Sequence, residues 1–191
     1  MAPAFSFIDF SQNADLVARQ LIGTTFLVDG VGGIIVETEA YDRTDPASHS
    51  YAGPTPRNAV MFDEPACIYV YRSYGIHWCV NFTCREKGHG AAVLIRAIEP
   101  THGIHTMQAR RKTENPRLLC AGPGRICQAL GITRELNGLP LDAPHLSLLP
   151  ASHPAKVIAG PRIGISKAVD VPWRFGLAGS PYLSKPFKKA T

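Results

Sequence analysis

Seventeen glycines and sixteen prolines punctuate the 191 residues of this chain, and that density predicts short helices and strands joined by many turns. It falls short of a collagenous or low-complexity sequence. Apolar residues at 45% and charged residues at 18% supply a real core and exclude a disordered segment. The length fits one domain. No apolar run approaches the ~18 residues that cross a bilayer, and residues 1–10 lack the basic start and apolar stretch of a secretory signal. The five cysteines are odd in number and never spaced C-x-x-C, so neither a disulfide scaffold nor a zinc ribbon is indicated. A soluble, intracellular protein is expected.

Residues 13–22 predict a helix, with Asn13 as cap, Gly23 just past its end, and Leu16, Val17, Gln20 and Leu21 on one face. Residues 25–28 and 33–41 predict a hairpin about Asp29 and Gly30. A loop over 42–65, rich in Asp, Pro, Gly, Ser and Asn, follows; a loop of that length in a compact domain is usually functional. Residues 67–72 and 77–83 predict a second hairpin with Tyr74 at its tip, and 91–98 a central strand, apolar on both faces. Helices are expected over 101–112 and 123–130, and short strands at 157–159, 162–165 and 174–177. Hairpins and helices without βαβ alternation predict an α+β fold: one compact domain, its curved and largely antiparallel sheet flanked by helices, with a protruding β-hairpin.

Charge is divided unevenly. Residues 1–95 carry 6 Lys/Arg against 10 Asp/Glu, and residues 96–191 carry 14 against 5. A basic half beside an acidic half suits a polyanionic partner held by one part with chemistry in the other, although uneven surface charge alone gives the same figures. In the run 35–41, period-two alternation places Glu37, Glu39 and Tyr41 on one face. Two carboxylates so spaced lie ~6.5–7 Å apart at Cα, a separation that overlaps that of inverting glycosidases; a strand with one wet face also accounts for it. Tyr69, Tyr71, Tyr74 and Trp78 gather on the second hairpin. Cross-strand packing explains most of that cluster, but an aromatic at a hairpin tip has little core to enter and suits insertion into a base stack. The turn Gly122-Pro123-Gly124-Arg125 before a helix offers free N–H groups to a phosphate, a weak signal alone. Arg110, Arg111 and Lys112 read equally well as a solvated helix face. Cys79, Cys84 and His89 match no zinc spacing, and buried thiols fit better.

The order of these blocks is itself informative. The run 35–41, His49-Ser50, Thr55-Pro56-Arg57-Asn58, Met61-Phe62, the stretch Tyr69 to Asn81, the strand Val93 to Pro100, residues 121–124, Arg162 to Ile165, Arg174-Phe175 and residues 179–181 closely resemble the alkyladenine (3-methyladenine) DNA glycosylase family. The likeness runs in family order over roughly residues 12–184, and one glycosylase domain over 1–191 is expected. Two departures stand out: the loop from Tyr41 to His49 is one residue shorter than in mammalian members, and Ile76 and His77 resemble bacterial ones.

The resemblance implies roles for individual residues. Glu39 matches the carboxylate that activates a water, and Arg96 and the Ile163 carbonyl match groups that hold that water. Tyr41, His49, Tyr71 and Asn81 match the pocket for an extruded base, with the His49 backbone N–H reading the base edge and Asn81 excluding guanines. Tyr74 matches the side chain that fills the gap in the duplex, and Thr55, Arg57, Gly122, Gly124 and Arg125 are assigned to the DNA backbone. The implied partner is double-stranded DNA containing damaged purines. The implied enzyme is a monomer that needs no cofactor and no metal, does not engage membranes, and is cytoplasmic, nucleoid-associated in a bacterium.

The chemistry suits this inventory. An alkylated purine is already cationic and leaves as a neutral base without an acid, so one buried carboxylate suffices to place a water and stabilise the oxocarbenium-like transition state. A neutral purine such as hypoxanthine needs a proton donor that the sequence does not reveal. No Lys lies in the pocket motifs, which argues against a Schiff-base lyase. Two other readings remain. A catalytically silent DNA-binding relative is opposed by the intact Glu39 and Arg96, and a nucleoside or sugar hydrolase using Glu37 with Glu39 is opposed by Tyr74 and the basic half.

Overall fold

The computed structural model describes residues 5–187; residues 1–4, part of the N-terminal stretch discussed above, lie outside them. Helix α1 (Ala14–Leu21) buries Ala14, Val17, Ala18 and Leu21, the i, i+3, i+4, i+7 stripe of an amphipathic helix. Leu16, expected on that face, is instead 44% exposed. Asn13 occupies the N-cap position without capping, because its side-chain oxygen accepts a hydrogen bond from Arg85. Strands β1 (Thr25–Val28) and β2 (Val31–Tyr41) form the first hairpin, and Asp29 and Gly30 both take positive φ at its turn. The long loop then makes one 3₁₀ turn, Ala59–Phe62.

Strands β3 (Ile68–Ser73) and β4 (His77–Cys84) form the second hairpin, followed by β5 (Ala91–His102), helices α2 (Ile104–Arg111), α3 (Pro116–Leu119) and α4 (Pro123–Leu130), a 3₁₀ turn (Arg134–Leu136), and strands β6 (Leu146–Leu149), β7 (Val157–Gly160) and β8 (Arg174–Leu177). All strand pairs are antiparallel, in the order β3-β4-β5-β2-β1-β6, with β8 on β2 and β7 on β8. The fold is therefore α+β, one curved antiparallel sheet with helices packed against it.

Two sequence expectations need correction. The helix expected from residue 101 starts only at Ile104, because β5 continues to His102 to pair with the first half of β2, and Gly103 in the left-handed region makes the break. Residues 162–165 are irregular, not a strand, since the Ile163 N–H donates to a carboxylate instead of a neighbouring strand. The helix α3 and strand β6 were not foreseen from the pattern.

Alternation divides the sheet into two unlike faces. Ile68, Val70, Val80, Phe82, Val93, Ile95 and Ala40 point to the core with α1 and α4; Phe26 meets Phe82 edge to face at 5.0 Å. Each of the valine, isoleucine and phenylalanine side chains, fully buried, contributes roughly 1.5–3 kcal/mol before entropy. The Thr38 hydroxyl ties β2 to α1 by donating to the Ala18 carbonyl at 2.9 Å. The opposite face carries the polar and aromatic residues of the candidate site. The five cysteines are free thiols, and Cys79, Cys84, Cys120 and Cys127 are buried. No helix of the described residues is long and apolar enough to cross a membrane.

Candidate active site

Register builds this site. Tyr69 pairs with Asn81, Asn81 with Leu94, Leu94 with Glu39 and Glu39 with Arg174, so five strands contribute one row of side chains. Because alternate residues share a face, Tyr71, Cys79, Ala92, Arg96 and Tyr41 join that row, and with Tyr69, Asn81 and Leu94 they line a cavity of about 920 Å³. The long loop closes one side with Ala47, His49 and Arg57, and Ile163, Gly164 and Ile165 close another. β2 is bulged between Ile35 and Thr38, where it begins to pair with β8 as well as β5. Bulges of this kind re-aim side chains beside functional sites.

Glu39 has no exposed surface. It sits directly behind the cavity wall, held by three groups that do line it. The Ile163 N–H donates to Oε1 at 2.7 Å and the Tyr41 hydroxyl to Oε2 at 2.8 Å. An Arg96 Nη lies 3.4 Å from Oε2. A carboxylate has about four acceptor sites, so these partners leave room for a water. Burial raises the Glu39 carboxyl above its ordinary range and nearby Glu37 adds to that, outweighing Arg96, the Ile163 N–H and Tyr41, which all favour the anion. Burial and the Glu39 charge push the Tyr41 phenol far up, keeping it a donor.

Glu37 is equally buried but faces other partners: Arg174 Nε donates at 2.7 Å, and the Ser184 N–H and hydroxyl donate at 2.6 and 2.9 Å. The alternative of a strand with one wet face does not hold, because both carboxylates are fully buried and Ser184 and Ile163, outside the strands, donate to them. Nor does Glu37 line the cavity.

The aromatic cluster separates into parts. Tyr69 and Tyr71 face the cavity with ring centroids 5.6 Å apart, and the His49 ring meets Tyr71 edge to face at 4.5 Å. His49 and Tyr71 are thus nearly perpendicular and do not form a parallel-walled slot. Burial and the Arg57 charge both lower the His49 pKa, favouring the neutral ring; burial pushes the Tyr69 phenol up to about 12. Trp78, expected in the same cluster, lies opposite Arg72 and packs with the core on the other face. Tyr74 stands alone at the hairpin tip, 89% exposed, with Tyr74 and Gly75 both at positive φ to make the tight turn. A tyrosine held in that conformation is strained.

Asn81 donates to the Tyr69 carbonyl at 3.1 Å. Arg57 is exposed, donating to the Arg72 carbonyl at 2.9 Å with its guanidinium 5.8 Å above Tyr71. Thr55 directs its N–H and hydroxyl to Asn58, which in turn donates to the carbonyls of His49 and Gly53. Gly122, Gly124 and Arg125 line a separate groove with His77, Arg111 and Gln128, and His77, Pro123 and Gly124 also border the main cavity. His89 is engaged by Asp42 at 2.7 Å rather than grouped with Cys79 and Cys84.

Several structural anchors had no counterpart in the sequence reading. Asp45 is paired with Arg162, which also donates to the Ala40 carbonyl at 2.9 Å and stacks on Tyr41 at 4.8 Å. This ties the long loop to the residue preceding Ile163. Asn58 is the knot of the loop itself. Arg162 lies more than a hundred residues from Asp45 and Ala40, a separation that leaves no local pattern to read.

A family model describing Methylpurine-DNA glycosylase (MPG) matches residues 8–181. A protein of Nitrosospira multiformis is 64% identical over 182 residues, covering 95% of this chain and 94% of its own length. One from Nitrobacter winogradskyi is 62% identical over 181 residues, covering 95% and 87%, and one from Rhodopseudomonas palustris 59% identical over 180 residues, covering 94% and 87%. Each of the three bears the name "Putative 3-methyladenine DNA glycosylase".

Proposed function

This chain belongs to the methylpurine-DNA glycosylase family of DNA-repair hydrolases, and from that premise we propose that it excises damaged purines from duplex DNA by hydrolysing the N-glycosidic bond with a water activated by Glu39. The observation that carries this reading is the buried carboxylate immediately behind the cavity wall, its oxygens engaged by Tyr41, Arg96 and the Ile163 N–H.

The steps follow from where charge and surface lie. Arg57, Arg125 and the N-terminus of α4 engage phosphates, and Tyr74 enters the stack as the nucleotide swings out. The extruded base stacks against Tyr71 among Tyr41, His49 and Asn81. The Glu39 negative charge lies beside the developing oxocarbenium, and the carboxylate then takes a proton from the water as it attacks the sugar, becoming neutral. Arg96 and Ile163 hold Glu39 and the water in line. An alkylated purine departs neutral. Among the described residues no lysine lines the cavity, which supports a monofunctional enzyme without a Schiff-base step. The chain is read as one glycosylase domain acting as a monomer, without a cofactor, on DNA in the bacterial cytoplasm. The paired-carboxylate alternative is weakened because both Glu37 oxygens are taken by Arg174 and Ser184.

The test is release of free base from a duplex carrying one ethenoadenine or hypoxanthine, beside the same duplex undamaged. Wild-type protein releases the modified base only. Glu39→Gln binds the lesion duplex but loses ~10²–10⁴-fold in single-turnover rate, the contribution of a positioned general base. Excision by Glu39→Gln at the wild-type rate would end this assignment.

A further inference from the structure

Beneath the cavity four charged side chains alternate in sign: Glu39, Arg96, Glu37, Arg174. Arg96 lies between two carboxylates, one Nη 3.4 Å from Glu39 Oε2 and its Nε 3.4 Å from Glu37 Oε1. That Nε is buried and has no well-aligned hydrogen-bond acceptor, so its attachment to Glu37 is by charge. Glu37 likewise lies between two guanidiniums, with Arg174 Nε at 2.7 Å on its far side.

The chain's last described residues lock this row. Ser184 donates both its N–H and its hydroxyl to Glu37, and Arg174 donates to the Lys185 carbonyl. The Arg174 guanidinium lies 3.9 Å over the Phe187 ring. That ring fills the space over two glycines, since a Cβ at Gly160 or Gly176 would come within 3.0 or 2.6 Å of it. A segment anchored at Glu37, Arg174 and Phe187 holds the Glu37 carboxylate at one setting.

We infer that Glu37 is a positioning residue for base excision: it draws the Nε edge of Arg96 away from Glu39, so the arginine aims its Nη edge at the base without fully neutralising it, and residues 183–187 fix that division. This rests on the reading of Glu39 as the base. The alternating row explains what a single ion pair does not. An arginine devoted to Glu39 alone would hold it as a weakly basic anion. Shared with Glu37, it orients Glu39 while leaving more basicity for the water. The other groups facing Glu39 are Tyr41 and the Ile163 N–H, with Tyr71 and Arg162 beyond Tyr41.

The inference predicts opposite responses in two variants, read as the acid limb of the single-turnover pH–rate profile. Glu37→Gln removes a like charge and returns Arg96 to Glu39; both effects favour the Glu39 anion, so the limb moves down by about one pH unit. The plateau rate falls roughly tenfold as Arg96 loses its second anchor. Ser184→Ala removes one donor from Glu37 and leaves its charge less compensated, so Glu37 draws harder on Arg96 and the limb moves up by roughly a few tenths of a unit. A structural role alone would lower the melting temperature and move neither limb. If Glu37→Gln fails to fold, the direction of the Ser184→Ala limb decides. Limbs unmoved in folded variants overturn the inference even where Glu39→Gln abolishes excision; a wild-type rate in Glu39→Gln instead overturns the reading beneath it.

Discussion

Asp45→Asn is a demanding perturbation because it changes one charge and almost no shape. The Asp45 and Arg162 side chains are 3% and 0% exposed. One Arg162 nitrogen donates to both Asp45 and the Ala40 carbonyl, the other to Asp45 Oδ1 at 3.1 Å, and the guanidinium stacks on Tyr41 and Trp173. Asparagine can still accept from the Ala47 N–H, the turn contact that Asp45 Oδ1 makes at 3.0 Å. What disappears is the negative charge, which leaves a buried guanidinium uncompensated at a cost of about 3–5 kcal/mol. For a chain of this size each kcal/mol lowers the melting temperature by roughly 2–4 °C, so the expected fall is ~6–20 °C. The control is Lys87→Ala, which breaks an exposed pair to Glu64 at side-chain exposures of 63% and 65% and costs about 0–1 kcal/mol. Both variants are melted by circular dichroism and assayed for excision in single turnover below the transition. Asp45→Asn should also excise more slowly, because Arg162 braces Tyr41 and immediately precedes Ile163. If Asp45→Asn melts no lower than Lys87→Ala, the pair does not anchor the loop and the reasoning fails.

Three further outcomes follow from the site. As a base Glu39 must be deprotonated, and its carboxyl is raised by burial, so single-turnover excision of a cationic lesion should fall as pH is lowered, through an acid limb above the ordinary glutamate range; a limb at or below that range contradicts it. Tyr74→Ala should slow excision from paired lesions far more than from the same lesion in a mismatch or single strand, where little stacking opposes extrusion; equal losses would make Tyr74 merely structural. Affinity for undamaged duplex should fall with salt at a log–log slope of about −0.9 per phosphate, and Arg125→Ala should flatten that slope by roughly one contact; an unchanged slope would remove Arg125 from the backbone contacts.

What could be read in advance follows from the range of the interactions involved. The alternation that grouped Glu37, Glu39 and Tyr41 is a property of any strand, and the Tyr41 hydroxyl on Glu39 bears it out. Alternation leaves a wet face open as an alternative, because it says nothing about what covers a face; here Ile163 and Ser184 reach the two carboxylates from more than a hundred residues later in the chain. Trp78 shows the same division of knowledge. With Ser73 opposite His77, register sets Arg72 against Trp78 and Tyr71 against Cys79, hence the tryptophan on the core face. Counting aromatics without that register merged two faces into one cluster. Residues 162–165 looked like a strand because Ile163 and Ile165 alternate with small or polar neighbours. Their conformation is set instead by Arg162 reaching Asp45 and by the Ile163 N–H reaching Glu39. The same backbone amide that could have extended a sheet orients a carboxylate, which is why propensity fails where the candidate site begins. A polar group buried in a fold must find a partner, and residues 162–184 supply one to each buried carboxylate here: Arg174 and Ser184 to Glu37, Arg162 to Asp45, and the Ile163 N–H to Glu39. The site is therefore complete only when that segment is in place, and variants at Arg162, Arg174 or Ser184 should disturb excision without touching a base.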